Sequence, residues 1–170
     1  MKFKVLCGCA VFLFAVATGS AQTKITLSGK CDKPTILQSV PVGDMDGHAF
    51  VLDQGKCATM GEVGGAKSKE GMYSERGEMR GTHAKVWGFF LESYDRGDKI
   101  FYTYQSTGTM TTGGGVSKST NSWQMVGGTG KMKGIKGSGT CESTGNANGD
   151  GGDEFTCTGT YTLATAAPAM

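Results

Sequence analysis

Helical periodicity is almost wholly missing from this chain. No long segment sets apolar residues at every third or fourth position without a glycine intervening, which excludes a helical bundle and argues against alternating strand–helix folds. No fixed internal period is present either, so a solenoid or propeller is excluded. The apolar run Val5–Ala17 is about a dozen residues, short of the ~20 that a membrane-spanning helix needs. Charge is also lacking where it would matter. The chain has 17 basic and 15 acidic residues, and the excess of +2 is supplied by Lys2 and Lys4. Residues 22–170 therefore balance at zero, with acids and bases mixed rather than blocked, and nothing suggests an electrostatic grip on nucleic acid or an anionic membrane.

The first 21 residues read as a secretory signal. Lys2 and Lys4 precede the apolar run, and Thr18-Gly19-Ser20-Ala21 offers the small side chains that signal peptidase requires, placing cleavage between Ala21 and Gln22. Leu6-Cys7-Gly8-Cys9 imitates a lipobox only loosely, because the apolar segment follows the cysteine instead of preceding it. A mature chain of this length suits one domain, expected over residues 22–163, with a small-residue tail at 164–170. The expected location is the periplasm or the extracellular space, with no membrane association after signal removal. Nothing in the sequence sets an oligomeric state.

Cys31, Cys57, Cys141 and Cys157 remain after cleavage. Their spacings of 26, 84 and 16 contain no closely spaced ligand pair, so zinc is not expected. In an oxidising compartment four cysteines form two disulfides with three possible connectivities. Cys31–Cys57 and Cys141–Cys157 are favoured because each pair flanks a strand-to-strand connection.

What the chain has in abundance is glycine, 29 residues, together with short β-rich segments. Strands are expected at Thr23–Gly29, His48–Asp53, Gly71–Glu78, Thr82–Tyr94, Lys99–Thr111, Ser117–Val126, Ile135–Ser143 and Glu154–Leu163. Residues around Pro34 and Pro41 are expected to form a loop, Val63–Ser68 a glycine-bent connection, and Asp95-Arg96-Gly97-Asp98 and Gly113-Gly114-Gly115 turns. The last two strands alternate most cleanly. Phe155, Cys157, Gly159, Tyr161 and Leu163 share one face against a face of threonines, and Ile135, Gly137, Gly139 and Cys141 share the corresponding face of the preceding strand. Seven or eight antiparallel strands with single glycines inside them predict an all-β fold, an antiparallel closed β-barrel of about eight strands, disulfide-stapled.

Two motifs imitate ligand loops. Gly127-Gly128-Thr129-Gly130-Lys131 resembles a phosphate loop, but Met132 stands where Ser or Thr is needed and a strand, not a helix, follows. Asn146-Ala147-Asn148-Gly149-Asp150-Gly151 imitates the start of a calcium loop, but Cys157 replaces the twelfth-position Glu. A polar hairpin tip is the plainer reading, and no metal or cofactor is expected.

The stretch Gly127–Gly139, with Gly-Gly-Thr-Gly, a basic residue and a glycine-spaced strand, resembles the corresponding segment of the allene oxide cyclase and dirigent-like barrel group. With His48-Ala49-Phe50 and Lys99–Gly108, the pattern is also similar to small bacterial exported proteins of that kind. The resemblance implies an antiparallel barrel whose lumen holds a small apolar molecule. The group's acidic lumen residues have no matching positions that sequence alone can assign.

Glu78, Arg80 and His83 are the candidate catalytic residues: Glu78 or His83 as general base and Arg80 to stabilise an anion. The competing reading is a solvated rim that protects a sheet edge. Trp87, Tyr102, Tyr104, Trp123 and Tyr161 are the candidate ligand-binding residues, with core packing as the alternative. On Thr82–Tyr94 both faces carry apolar groups, so the inward face is not set. Three functions follow from these readings: a non-enzymatic module for a small apolar ligand, a cyclase, isomerase or coupling-director enzyme, or a structural domain with a filled core. A wide apolar lumen favours the first, a wide lumen with buried Glu or His the second, and a solid interior the third.

Overall fold

The computed structural model describes residues 22–111, 116–145 and 152–164. The expected signal segment, the Gly113-Gly114-Gly115 turn, the calcium-like Asn146–Gly151 loop and residues 165–170 lie outside them. The described residues form nine strands: β1 Thr23–Cys31, β2 Ile36–Pro41, β3 His48–Val63, β4 Ala66–Arg80, β5 His83–Tyr94, β6 Lys99–Met110, β7 Val116–Gly128, β8 Lys136–Thr144 and β9 Glu154–Thr162.

All neighbours are antiparallel, in the order β1-β9-β8-β7-β6-β5-β4-β3-β2, and β1 also pairs with β3. That pairing closes eight strands into a barrel. β2 stands outside the ring: β3 pairs with β1 from Cys57 to Gly61 and with β2 from Ala49 to Gln54. The segment expected as a loop around Pro34 and Pro41 is thus an edge strand that continues the wall beyond the end of β1. Val63–Ser68 does bend at glycine, in a tight turn at Gly64-Gly65, and its later residues already belong to β4. Positive φ at both glycines lets the chain reverse there without strain.

Side-chain alternation divides lumen from exterior. Ile25, Leu27, Tyr102, Trp123, Met125, Cys141, Cys157 and Tyr161 are buried inside, while the threonines of β9 and the charged residues of β8 face out. On β5 the even-numbered residues Gly88, Phe90, Glu92 and Tyr94 point inward. Trp87 and Phe89 therefore lie on the outer wall, where Lys85 and Arg76 sit 5.0 and 5.7 Å from the Trp87 ring centre.

Glycine explains how large rings fit inside so narrow a barrel. Gly29, Gly55, Gly88 and Gly139 pair directly with Phe155, Tyr73, Tyr104 and Trp123 on the neighbouring strands. A Cβ at any of these glycines would run into the ring opposite. One end of the barrel is packed solid by Val63, Ala66, Tyr94, Ile100, Met132 and Ile135. Met132 comes from a 3₁₀ turn, Gly130–Met132, so the phosphate-loop-like stretch is a plug: the Lys131 amide donates to Asp98 Oδ1 at 3.3 Å, with a carboxylate where phosphate would sit.

Both disulfides join residues directly opposite in register, Cys31 to Cys57 across the β1–β3 seam and Cys141 to Cys157 across β8–β9. Breaking the second by the double change Cys141→Ser, Cys157→Ser is expected to cost about 3 kcal/mol in the chain-entropy account. Thermal melts of oxidised wild type and variant check this, and coincident curves would contradict it.

Candidate functional site

Above the packed end the barrel encloses a cavity of about 660 Å³, within the range of small-molecule sites. Its floor is aromatic. Tyr102 meets Trp123 with ring centres 5.8 Å apart at 80°, Phe90 meets Tyr102 at 6.2 Å and 63°, and Phe90 meets Phe155 at 6.2 Å and 82°. These edge contacts pack the four rings into one continuous aromatic group along the wall.

Below the floor, Glu92 is a carboxylate only 1% exposed. It accepts hydrogen bonds from Ser68 Oγ at 2.5 Å and from the hydroxyls of Tyr94 and Tyr102, both at 2.7 Å. Three donors on one buried carboxylate satisfy it without a cation. They also fix the Tyr102 ring, whose hydroxyl is held well above the usual phenol range by burial and then by the charge of Glu92.

Above the floor comes a layer of acids. Asp53 on β3 and Glu75 on β4 are directly opposed, and Asp153 joins them from the residue before β9. Burial, reinforced by the Glu75 charge and a hydrogen bond to Glu75, pushes the Asp53 carboxyl up to about 8. Glu75 is raised by burial, with the hydrogen bond from the Tyr104 hydroxyl pulling it back, and Asp153 is raised by burial. The hydrogen bond between the pair raises Asp53 and lowers Glu75, so Asp53 is the member that keeps the proton near neutrality. Among the described residues, three fully buried atoms of residues in this wall have no hydrogen-bond partner: Asp53 Oδ1, Asn121 Oδ1 and Trp123 Nε1.

The sequence-nominated residues divide between this lumen and the outside. Tyr102, Tyr104 and Trp123 line the lumen. Tyr161 is inward but belongs to the packed end, where its hydroxyl accepts from the Gly64 amide at 3.0 Å. Trp87 is on the exterior, as described. Glu78, Arg80 and His83 come together around a second cleft of about 620 Å³ with Lys85 and Lys118; it adjoins the lumen, and Glu78 borders both. There Glu78 Oε1 accepts from Arg80 Nε at 2.7 Å and lies 3.0 Å from His48 Nε2, and His48 Nδ1 lies 2.5 Å from Asp44 Oδ1. The Arg80 hydrogen bond, then that of His48, holds Glu78 below the usual carboxylate range, which suits an ion pair better than a general base.

Sequence reasoning missed Asp53, Glu75, Asp153 and Asn121. A signal for Asp53 was present: it shares parity with Cys57 along one continuous strand, so an inward Cys57 carries Asp53 inward with it.

No protein-family profile matches the chain, and no curated protein matches it. Among solved structures the chain is similar to the pterocarpan synthase dirigent protein GePTS1, at 9% identity and a TM-score of 0.48, over 91% of this chain and 98% of that one. At that similarity nothing about site or chemistry is transferred, and the barrel assignment rests on the chain's own strand pairing.

The raised carboxyls make stability depend on pH. With Asp53 at about 8, the folded protein holds more protons than the unfolded chain between roughly pH 4 and pH 8. This contribution to stability is complete below the window and is lost as pH rises through it. Melting temperature should fall by several degrees from about pH 5 to about pH 9, and Asp53→Asn should flatten the decline. A wild type that melts at one temperature across this range would contradict the assignment.

Proposed function

We propose that this is an exported binding barrel whose lumen takes one small molecule with a flat apolar body and at least one polar group. The observation that carries the reading is a cavity of about 660 Å³ lined by Phe90, Tyr102, Trp123 and Phe155 together with Asp53, Glu75 and Asp153, acids that no ion pair reaches among the described residues. A filled structural core would have little reason to keep so large a space or to bury carboxyls without a counter-ion. A bound molecule fills the space and gives the acids a partner. The aromatic floor offers burial to a ring, and the acid layer above selects its polar end. Export to the periplasm or beyond fits the two disulfides and the leader-like first 21 residues.

One observation favours a second reading. Asp53 stays protonated near neutrality beside an accepting Glu75, the arrangement of a general acid, and a lumen of this kind could protonate a bound substrate during an isomerisation or cyclisation. The readings separate on one variant. In a pure binding module Asp53→Asn changes affinity alone, whereas in an enzyme it leaves a bound but unconverted substrate.

Native mass spectrometry of protein purified from its own host is expected to show a retained small molecule. Nile red should also bind with quenching of Trp123 emission, and Ser119→Trp, which fills the lumen wall, should abolish both. Repeated recovery of empty protein together with absence of dye binding would overturn the proposal.

A further inference from the structure

The lumen carries an imbalance of charge that its fold does not require. Six acids, Asp32, Asp53, Glu75, Glu78, Glu92 and Asp153, line it against the single base Lys33. Among the described residues no ion pair reaches Asp53, Glu75 or Asp153. Structural carboxylates in this protein are treated differently: Glu92 has three hydroxyl donors and Glu78 has Arg80 and His48. The upper acids thus stand together, partly desolvated, without a counter-ion.

A second, independent feature is the apolar part of the same wall. The rings of Phe90, Tyr102, Trp123 and Phe155 line the cavity and hold one another in edge-to-face contacts. A cavity lined by aromatic rings and by carboxyls without a counter-ion favours an aromatic body that carries positive charge.

Resting on the binding-barrel reading above, we propose that the ligand is an organic cation with an aromatic body, an arylalkylamine or aromatic quaternary ammonium. Its charge is held by Asp53, Glu75 and Asp153, and its ring lies on the Tyr102–Trp123 floor. The ammonium replaces the proton of the acid pair, so binding one cation releases one proton from Asp53 to solvent. An anionic ligand would enter a space lined by six acids and one base. The groups that face Asp53 are Glu75 and Tyr73 from β4, Tyr104 from β6, Asp153 before β9, and Asp32 and Lys33 from the segment after β1.

The test is isothermal titration of the full chain with three probes of similar size: benzyltrimethylammonium, whose charge is fixed at every pH, benzyl alcohol and phenylacetate. The expected result is binding of the cation in preference to both others. Its affinity should rise about tenfold between about pH 6 and pH 7 and level off above about pH 8, and buffers of different ionisation enthalpy should report proton release. Asp53→Asn should remove the pH dependence and weaken the cation at least about tenfold at high pH, while leaving benzyl alcohol unchanged. Glu75→Gln provides a second variant should the first fail to fold. Benzyl alcohol or phenylacetate binding as tightly as the cation, or a cation affinity flat in pH, would overturn the charge assignment and leave the binding barrel standing. Failure of all three probes, with no molecule retained from the host, would overturn both.

Discussion

Everything inside this protein depends on the closing seam between β1 and β3. A sheet of eight strands has a lumen only if its first and last members meet, and here they do so over the short pairing Leu27–Cys31 with Cys57–Gly61. The Cys31–Cys57 disulfide sits at the upper end of that pairing, where β1 stops and β3 goes on to pair with β2. A short antiparallel contact is the natural place for a barrel to gape, and a covalent link at its end limits the excursions that would open the wall. The second disulfide does the same one strand pair away, so the wall flanking β1 and β9 is the most strongly tied part of the ring.

Closure at this size leaves little space, and the chain meets that limit by setting rings against glycines. Where Tyr73, Tyr104, Trp123 and Phe155 face glycine across the ladder, the ring occupies the volume that two side chains would otherwise contest. Packing of this kind forms a floor but does not fill the barrel, and the acids stand in the unfilled part. The interior is therefore layered: an apolar plug, the Glu92 hydroxyl network, an aromatic floor, and a carboxyl layer beneath the upper end. Polarity increases along the axis, which orients any amphipathic molecule that enters.

The acid pair owes its existence to a slip in register. Near the Gly64-Gly65 turn, Val63 pairs with Ala66 and Glu62 with Lys67, and continuing that register would set Asp53 opposite Arg76, an ordinary ion pair. Between Ala58 and Glu62 the pairing shifts by one residue, and Asp53 faces Glu75 instead. The same shift sends Arg76 outside, to the Trp87 ring. One irregular step in the ladder thus exchanges a neutralised pair for two carboxyls sharing a proton.

The class of fold and the inward faces of β8 and β9 were legible in the residues alone, and the two cysteine pairs were the favoured choice among three, because clean two-residue alternation, glycine spacing and apolar cysteine faces are local properties. The sequence also carried the inward rings Tyr102, Tyr104 and Trp123 as candidates. Which side of β5 looks in was settled by strand pairing, since Trp87 and Phe89 on one face and Phe90 and Tyr94 on the other are equally apolar and the neighbouring strands break the tie. The tertiary structure alone turned Ile36–Pro41 into a wall-extending strand, set Arg80 and His83 on an outer cleft with Glu78 between that cleft and the lumen, and gathered Asp53, Glu75 and Asp153 from three separate parts of the chain. Those outcomes depend on register and closure, which are long-range pairings that no local pattern encodes.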